Sequence, residues 1–216
     1  MLVFNFSNKL AFPPDVKIGH SDTLNEVNHA KILGLIIQSN LKWNLNTEFI
    51  YNKAAEKLWL LRRLRQFKLE VETLTDFYTK EIRVILEYAA PVWYSGITLK
   101  QSKTIEKIQK WAVSIILNNW TLSYTVKCTL LGIEPLYLRR KSLALNFSLR
   151  TVKNPKHKDF FQPKHRPYNT RQATVVTYEE NQVRSTRFKN SPLVALRRDL
   201  NEYNHNKTRS ARDGFS

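Results

Sequence analysis

Side chains able to hold a phosphodiester backbone cluster early in the chain. Lys53, Lys57, Arg62, Arg63 and Arg65 fall in one short run, Lys107 and Lys110 follow, and Arg139, Arg140 and Lys141 form a later group. Such residues contact phosphates without reading base sequence, and each phosphate they neutralise steepens the salt dependence of binding. Trp59 and Trp93 offer faces on which bases can stack. Both lie beside apolar stripes, so a place in the core is the plainer expectation for them. The whole chain carries the same bias, since 35 Lys+Arg against 18 Asp+Glu give a formal charge of +17. That excess draws a chain to polyanions, nucleic acid first and an anionic membrane second.

Chemistry beyond binding has few candidates. The sequence holds no Gly-x-x-x-x-Gly-Lys loop, and with 5 glycines it has no dinucleotide-binding fingerprint. Ser95-Gly96 is not a nucleophile elbow, because Trp93 stands two residues before the serine. His157-Lys158-Asp159 with His205, and Arg209 and Arg212 beyond, has the order of a two-His-one-carboxylate iron site. These residues fall in a Pro-rich, strand-poor stretch, so no metal centre is expected. The single cysteine, Cys128, excludes an internal disulfide and a thiolate-rich zinc site, and reads as a core thiol. No stretch approaches the roughly 18 to 20 apolar residues that span a bilayer. The opening MLVFNFSNKLAF lacks the basic start and cleavage site of a signal peptide. The expectation is an intracellular protein, nuclear or cytoplasmic.

The elements that must position these residues follow from periodicity. Ile50, Ala54, Leu58, Leu61 and Leu64 form one helical stripe with the cations spread round the other side. Apolar residues lie all round Leu74–Ala90, which predicts a helix buried between neighbours. Pro91 disfavours helical geometry at Ala90, Tyr94-Ser95-Gly96 supplies a turn, and a helix is expected from Gln101 with Ile105, Ile108, Ala112, Ile115 and Ile116 inward. Glu106, Lys107 and Lys110 lie off that stripe. Further helices are expected over Tyr124–Leu131, ended by Gly132, over Pro135–Arg150, and over Ser191–Tyr203. In the Pro135–Arg150 helix Leu138, Ser142, Leu145 and Leu149 share one side. Short strands are expected at Leu2–Phe6, Val16–Gly19, Lys31–Ile37 and Val175–Tyr178, with a turn region over Ser21–Asn28. The fold class is mainly α: a small antiparallel β-hairpin layer at the N-terminus, a helical bundle and an irregular basic tail. The expected divisions are residues 1–46, 47–150 and 151–216, with disorder over the final NHNKTRSARDGFS.

Three segments in this order, KAAEKLWLLRRLR, ILEYAAPVWYSGI and IEKIQKWAVSIIL, resemble the region after the polymerase core in reverse transcriptases of LINE-type, jockey-like non-LTR retrotransposons. HAKILGLIIQSNLKWN, upstream, is similar to the K-x-L-G-x-x-I-D-x-x-L-x-W segment of the same proteins, with Gln38-Ser39 near the place of the usual acidic residue. The resemblance covers roughly Leu2 to Arg150. It implies the last palm hairpin, or primer grip, with Leu33, Gly34 and Leu35 near a primer backbone, then a thumb-like bundle. RNA and RNA–DNA hybrid would be the partners and no membrane is involved.

The polymerase reaction needs carboxylates that hold two metal ions. The family carries them in a Tyr-x-Asp-Asp turn, and this sequence has no Asp-Asp pair. It therefore reads as a fragment whose polymerase core lies upstream, with no catalytic residue and no cofactor of its own, Mg2+ belonging to the parent enzyme. Two alternatives stand beside this. One is a free-standing helical nucleic-acid-binding or interaction module. The other is a segment similar to the N-terminus of AlkB-homologue tRNA-modifying proteins, without dioxygenase chemistry.

Overall fold

A computed structural model describes residues 1–4, 17–18, 22–23, 25–164, 175–180 and 186–213. The chain is mainly helical, with small antiparallel hairpins near its N-terminus. Packing divides it into two units, Met1–Ala89 with Ile97–Pro135, and Ala90–Gly96 with Leu136–Ser216. These divisions differ from boundaries at 46 and 150, because residues 90–96 and the helix after Pro135 pack with the C-terminal stretch.

The first unit opens on short strands. β1 (Lys17–Ile18) pairs antiparallel with β2 (Asp22–Thr23), inside a stretch read as a turn. Leu2 makes only an isolated bridge to Val27, and the rest of the expected Leu2–Phe6 strand from residue 5 lies outside the described residues. The stretch Lys31–Ile37, expected as one strand, folds back on itself: β3 (His29–Ile32) pairs with β4 (Leu35–Gln38), with Ile32 opposite Leu35. Leu33 and Gly34 form the turn at φ +47° and +84°. Two positive φ values in a two-residue loop match the right-handed twist of the strands, and Gly34 adopts its value without steric cost. The hairpin is tied to the next helix by Ile36 N–H donating to Asn46 Oδ1 (3.2 Å) and Leu45 N–H to Gln38 Oε1 (3.2 Å). Gln38 thus supplies an acceptor that an acidic residue there would also supply.

α1 (Asn44–Gln66) buries Ile50, Ala54, Leu58 and Leu61, the expected stripe, while Leu64 is half-buried. α2 (Val71–Phe77), a π-helical turn (Tyr78–Ile82) and α3 (Arg83–Glu87) form one continuous helical run. Its buried residues are Leu74, Tyr78, Ile82 and Leu86, a single stripe. Val84 and Tyr88 are exposed, so the expected all-round burial is not found. Steps of four overshoot an α-helical turn of about 3.6 residues and drift sideways. The wider π-turn takes up the drift and keeps the stripe on one face.

Ala89 takes φ +49°. The break therefore falls one residue earlier than Ala90, which begins α4 (Ala90–Trp93) with Pro91 in its first turn, where a missing N–H costs nothing. α5 (Leu99–Leu117) starts at a capping box between Thr98 and Gln101 and buries the five predicted apolar residues, but also Glu106, Gln109 and Ser114. α6 (Tyr124–Leu130) ends at Gly132, φ +61°, with Ile133 N–H donating to Cys128 O (2.9 Å) and Gly132 N–H to Thr129 O (3.2 Å).

Gln109 joins these helices. Tyr78 O–H donates to its Oε1 (2.5 Å), and its Nε2 donates to Tyr124 Oη (2.9 Å) and Glu134 O (3.0 Å). Tyr124 O–H in turn donates to the Glu106 carboxylate. Burial pushes the phenols of Tyr78 and Tyr124 well above their ordinary range, which favours the neutral, donating form of each.

In the second unit α7 (Leu136–Lys153) buries Leu136, Arg140, Ala144 and Ser148. Leu138 and Ser142 are exposed, so the inward face is turned from the one expected. A 3-10 helix (Pro155–Phe160) and α8 (Thr186–Lys189) precede α9 (Pro192–Asp213). The predicted helix over Ser191–Tyr203 thus runs on through residues read as disordered; residues 214–216 lie outside the described residues. Ala144, Phe161, Tyr178, Leu196 and Leu200 form a core, with the Phe161 and Tyr178 rings edge to face at 5.9 Å. Val175–Tyr178, expected as a strand, is held by an isolated bridge between Pro163 and Tyr178 and by Asn201. The Asn201 amide accepts from Tyr178 N–H (2.7 Å) and donates to Tyr178 O (3.1 Å).

Two stability predictions follow from these buried polar groups. Gln109→Leu strands the Tyr78 hydroxyl and the Glu134 carbonyl and is expected to cost about 3 kcal/mol in urea unfolding. Adding Tyr78→Phe should recover part of that loss, and strictly additive losses would refute the coupling. Asp199, buried beside Tyr94, whose O–H donates to it, has its pKa raised to about 6 by burial and by Glu202. The folded state then binds its proton more tightly than the unfolded chain, so stability is greatest below about pH 4 and falls as pH rises towards 6. Asp199→Asn should stabilise by about 1 kcal/mol at pH 7 and by nothing near pH 4; equal Tm differences at both pH values would exclude this account.

Candidate nucleic-acid interface

The predicted contact cations meet different fates. On α1, Lys53, Arg62 and Arg63 are exposed and Arg65 is half-exposed. Lys57 is held by Glu81 at 2.9 Å across to the π-turn, so part of its charge is already spent. Arg63 and Arg65 lie in the last turn of α1, where they also complement its carbonyl end. Lys107 and Lys110 are exposed on α5. Arg139 is half-exposed on α7. Arg140, by contrast, is only 2% exposed, with its guanidinium carbon 5.9 Å from the Trp93 ring centroid. It is a core cation and not a phosphate contact. Its neighbour Lys141 pairs with Glu202 at 3.2 Å.

The tryptophans also divide. Trp93 is fully buried, as expected of core. Trp59 is 61% exposed, which overturns the core expectation. Its position falls opposite the Ile50–Leu61 stripe, so periodicity alone places it outside. The Arg63 guanidinium lies 5.4 Å from the Trp59 ring centroid, one helical turn on, with Arg62 beside it. A stacked guanidinium keeps the N–H groups on its edge free for an anion, and here Arg63 uses one on Gln66 (3.1 Å).

The sequence reading missed Lys100 and Lys103. With Lys107 and Lys110 they make an exposed stripe at i, i+3, i+7 and i+10 along α5. The only acidic residue of that helix, Glu106, is buried, so nothing on α5 itself offsets the stripe. The signal was present in Thr98-x-x-Gln101, a capping pattern that starts the helix at Leu99. Lys107 Nζ sits 4.7 Å from the Trp111 ring centroid and Lys110 Nζ 5.2 Å from that of Tyr124.

The primer-grip residues lie at the hairpin turn. Leu33 is 88% exposed, but its carbonyl accepts from Tyr88 O–H (2.8 Å); Gly34 sits against the Tyr88 ring; Leu35 is buried. Among the described residues no group of three His, Cys, Asp or Glu side chains is placed to hold a metal ion, so His157, Asp159 and His205 do not assemble one. No helix of the described residues is long and apolar enough to cross a membrane.

Burial separates the two kinds of arginine experimentally. Arg140→Ala should lower the unfolding midpoint strongly, at a cost of about 3 kcal/mol, whereas Arg62→Ala should stay within about 0.5 kcal/mol; similar losses by chemical denaturation would show that Arg140 is not a core residue. No family model, no curated protein and no solved structure matches this chain.

Proposed function

We propose that this protein binds nucleic acid by its backbone, without reading sequence, as the thumb-like part of a non-LTR reverse transcriptase fragment, with RNA and RNA–DNA hybrid as partners. The observation that carries the reading is the exposed Trp59 with Arg63 stacked on it and Arg62 alongside. An aromatic face that large costs hydration when left in water, and with two guanidinium groups beside it the patch suits an unpaired base next to its phosphate. The lysine stripe of α5 adds a second polyanion-binding surface. The chain performs no phosphoryl transfer itself in this reading. Its role is to hold a template–primer while carboxylates elsewhere in the parent enzyme do the chemistry.

Salt titration of binding to a short RNA–DNA hybrid tests it. The logarithm of the affinity should fall linearly with that of salt concentration. Replacing Arg62, Arg63 and Arg65 by Ala, or Lys100, Lys103, Lys107 and Lys110 by Gln, should each flatten the slope by about one for every phosphate left without its cation. Trp59→Ala should weaken binding to single strands by about 1–3 kcal/mol while leaving the slope unchanged. A folded protein that binds no nucleic acid, or one whose slope neither set of substitutions alters, would overturn the reading.

A further inference from the structure

Within the first unit, a cleft of about 220 Å³ opens between the β3–β4 hairpin, α1 and α3. Its floor is apolar, with Leu35 and Ile50 buried and Ile85 half-buried, and aromatic rings of Phe49 and Tyr88 form its sides. Lys31 and Lys53 also line it, and no carboxylate of the described residues does. The Lys31 ammonium is drawn to 4.7 Å from the Phe49 ring centroid, and no ion pair joins either lysine to a carboxylate of the described residues. Asn46 stands in the wall at 1% exposure; its Oδ1 is taken by Ile36 N–H, and its Nδ2 has no partner among the described residues. A buried amide donor left unpaired is costly and calls for an acceptor.

The cleft is held in shape before any ligand arrives. Tyr88 O–H donates to Leu33 O, which latches the hairpin tip to the end of α3. A Cβ on Gly34 would come within 3.2 Å of Tyr88 Cε1, so the turn and the ring are already in close approach. Preformed walls of this kind spare a ligand the cost of ordering them.

We propose that this cleft is a binding site for a small aromatic anion, its ring on the Leu35, Ile50 and Ile85 floor and its anionic head at Lys31 and Lys53. An apolar cavity of about 150 Å³ is enough to hold benzene, so this space suits one ring and a head group rather than a larger body. The two cations, without carboxylate partners among the described residues, select the charge, the apolar floor selects the ring, and neither feature alone accounts for the site. The proposal does not depend on nucleic-acid binding. Its ligand is a free small molecule, and of its lining only Lys53, Gly34 and Leu35 also belong to the candidate nucleic-acid interface.

The test is titration of the full chain with benzoate and with phenyl phosphate, followed by amide NMR shifts, beside neutral benzamide and inorganic phosphate. Both aryl anions should bind saturably and shift the amides of Lys31, Gly34, Val84 and Ile85, with the stronger of the two identifying the preferred head group. Lys31→Gln with Lys53→Gln should weaken them about tenfold, since two ammonium groups facing one anion are lost. Val84→Phe, at an exposed position of the lining that can enlarge without disturbing the core, should block the ring while keeping both charges. Inorganic phosphate giving the same shifts would show surface charge only, and benzamide binding as well as benzoate would remove the role of the lysines. Unchanged binding in the Val84→Phe protein, with its remaining amide spectrum native, would place the ligand elsewhere.

Discussion

Gln109 is the buried side chain on which three parts of the first unit converge. Fully buried, it links α5 to the π-turn through Tyr78, to α6 through Tyr124, and to the chain leaving Gly132 through the Glu134 carbonyl. A primary amide has two donors and two acceptor sites, and only a fixed arrangement of helices lets this one use them away from water. Leucine-rich stripes tolerate small rotations and slides of one helix against another, whereas a stranded amide costs a kilocalorie or more. The polar network therefore selects one packing among those that the apolar residues allow.

The π-turn is the local adjustment that this network requires. Leu74, Tyr78, Ile82 and Leu86 are spaced by four, and a regular α-helix would swing the later members of that series away from α1 and α5. The turn keeps Ile82 and Leu86 inward while the Tyr78 hydroxyl stays on Gln109. Lys57 and Glu81 close the outer side of the same junction, exposed and adding little. Cys128 completes the wall of the network, its thiol 3.7 Å from Gln109 Nε2 and its pKa raised by burial. It is a packing residue, as its solitary occurrence suggested.

What the sequence made legible was apolar periodicity. The stripes of α1 and α5 appear as read, because a 3.6-residue period depends only on which residues avoid water. What it hid was polar burial. Glu106, Gln109 and Arg140 are of residue types that usually face water, and only tertiary partners reveal them as interior. Arg140 shows the mechanism: with Leu136, Ala144 and Ser148 it completes a buried i, i+4, i+8 and i+12 series, so the centre of the inward face of α7 lies off the expected side, with Leu138 and Ser142 out and Leu145 and Leu149 at its margin against the core. Lys31–Ile37 was misread for a different reason. A continuous apolar run gives no sign of reversing, and the two positive φ values at Leu33 and Gly34 are carried by only one glycine.

The exposed aromatic–cation pairs bear on function in a way that net charge does not. Arg63 on Trp59 and Lys107 on Trp111 each span one helical turn, so each pair can be explained by helix stability alone. That explanation needs the ring to be covered. Trp59 remains mostly in water with its cation in place, so the pair leaves unsatisfied a large apolar face that stacking would cover. Helix propensity offers many residues that stabilise an exposed turn at less hydration cost, leucine and glutamate among them. Tryptophan at this position is costly as helix surface, and in the proposed reading it is a stacking platform with the Arg63 guanidinium beside it setting the charge of what would stack there.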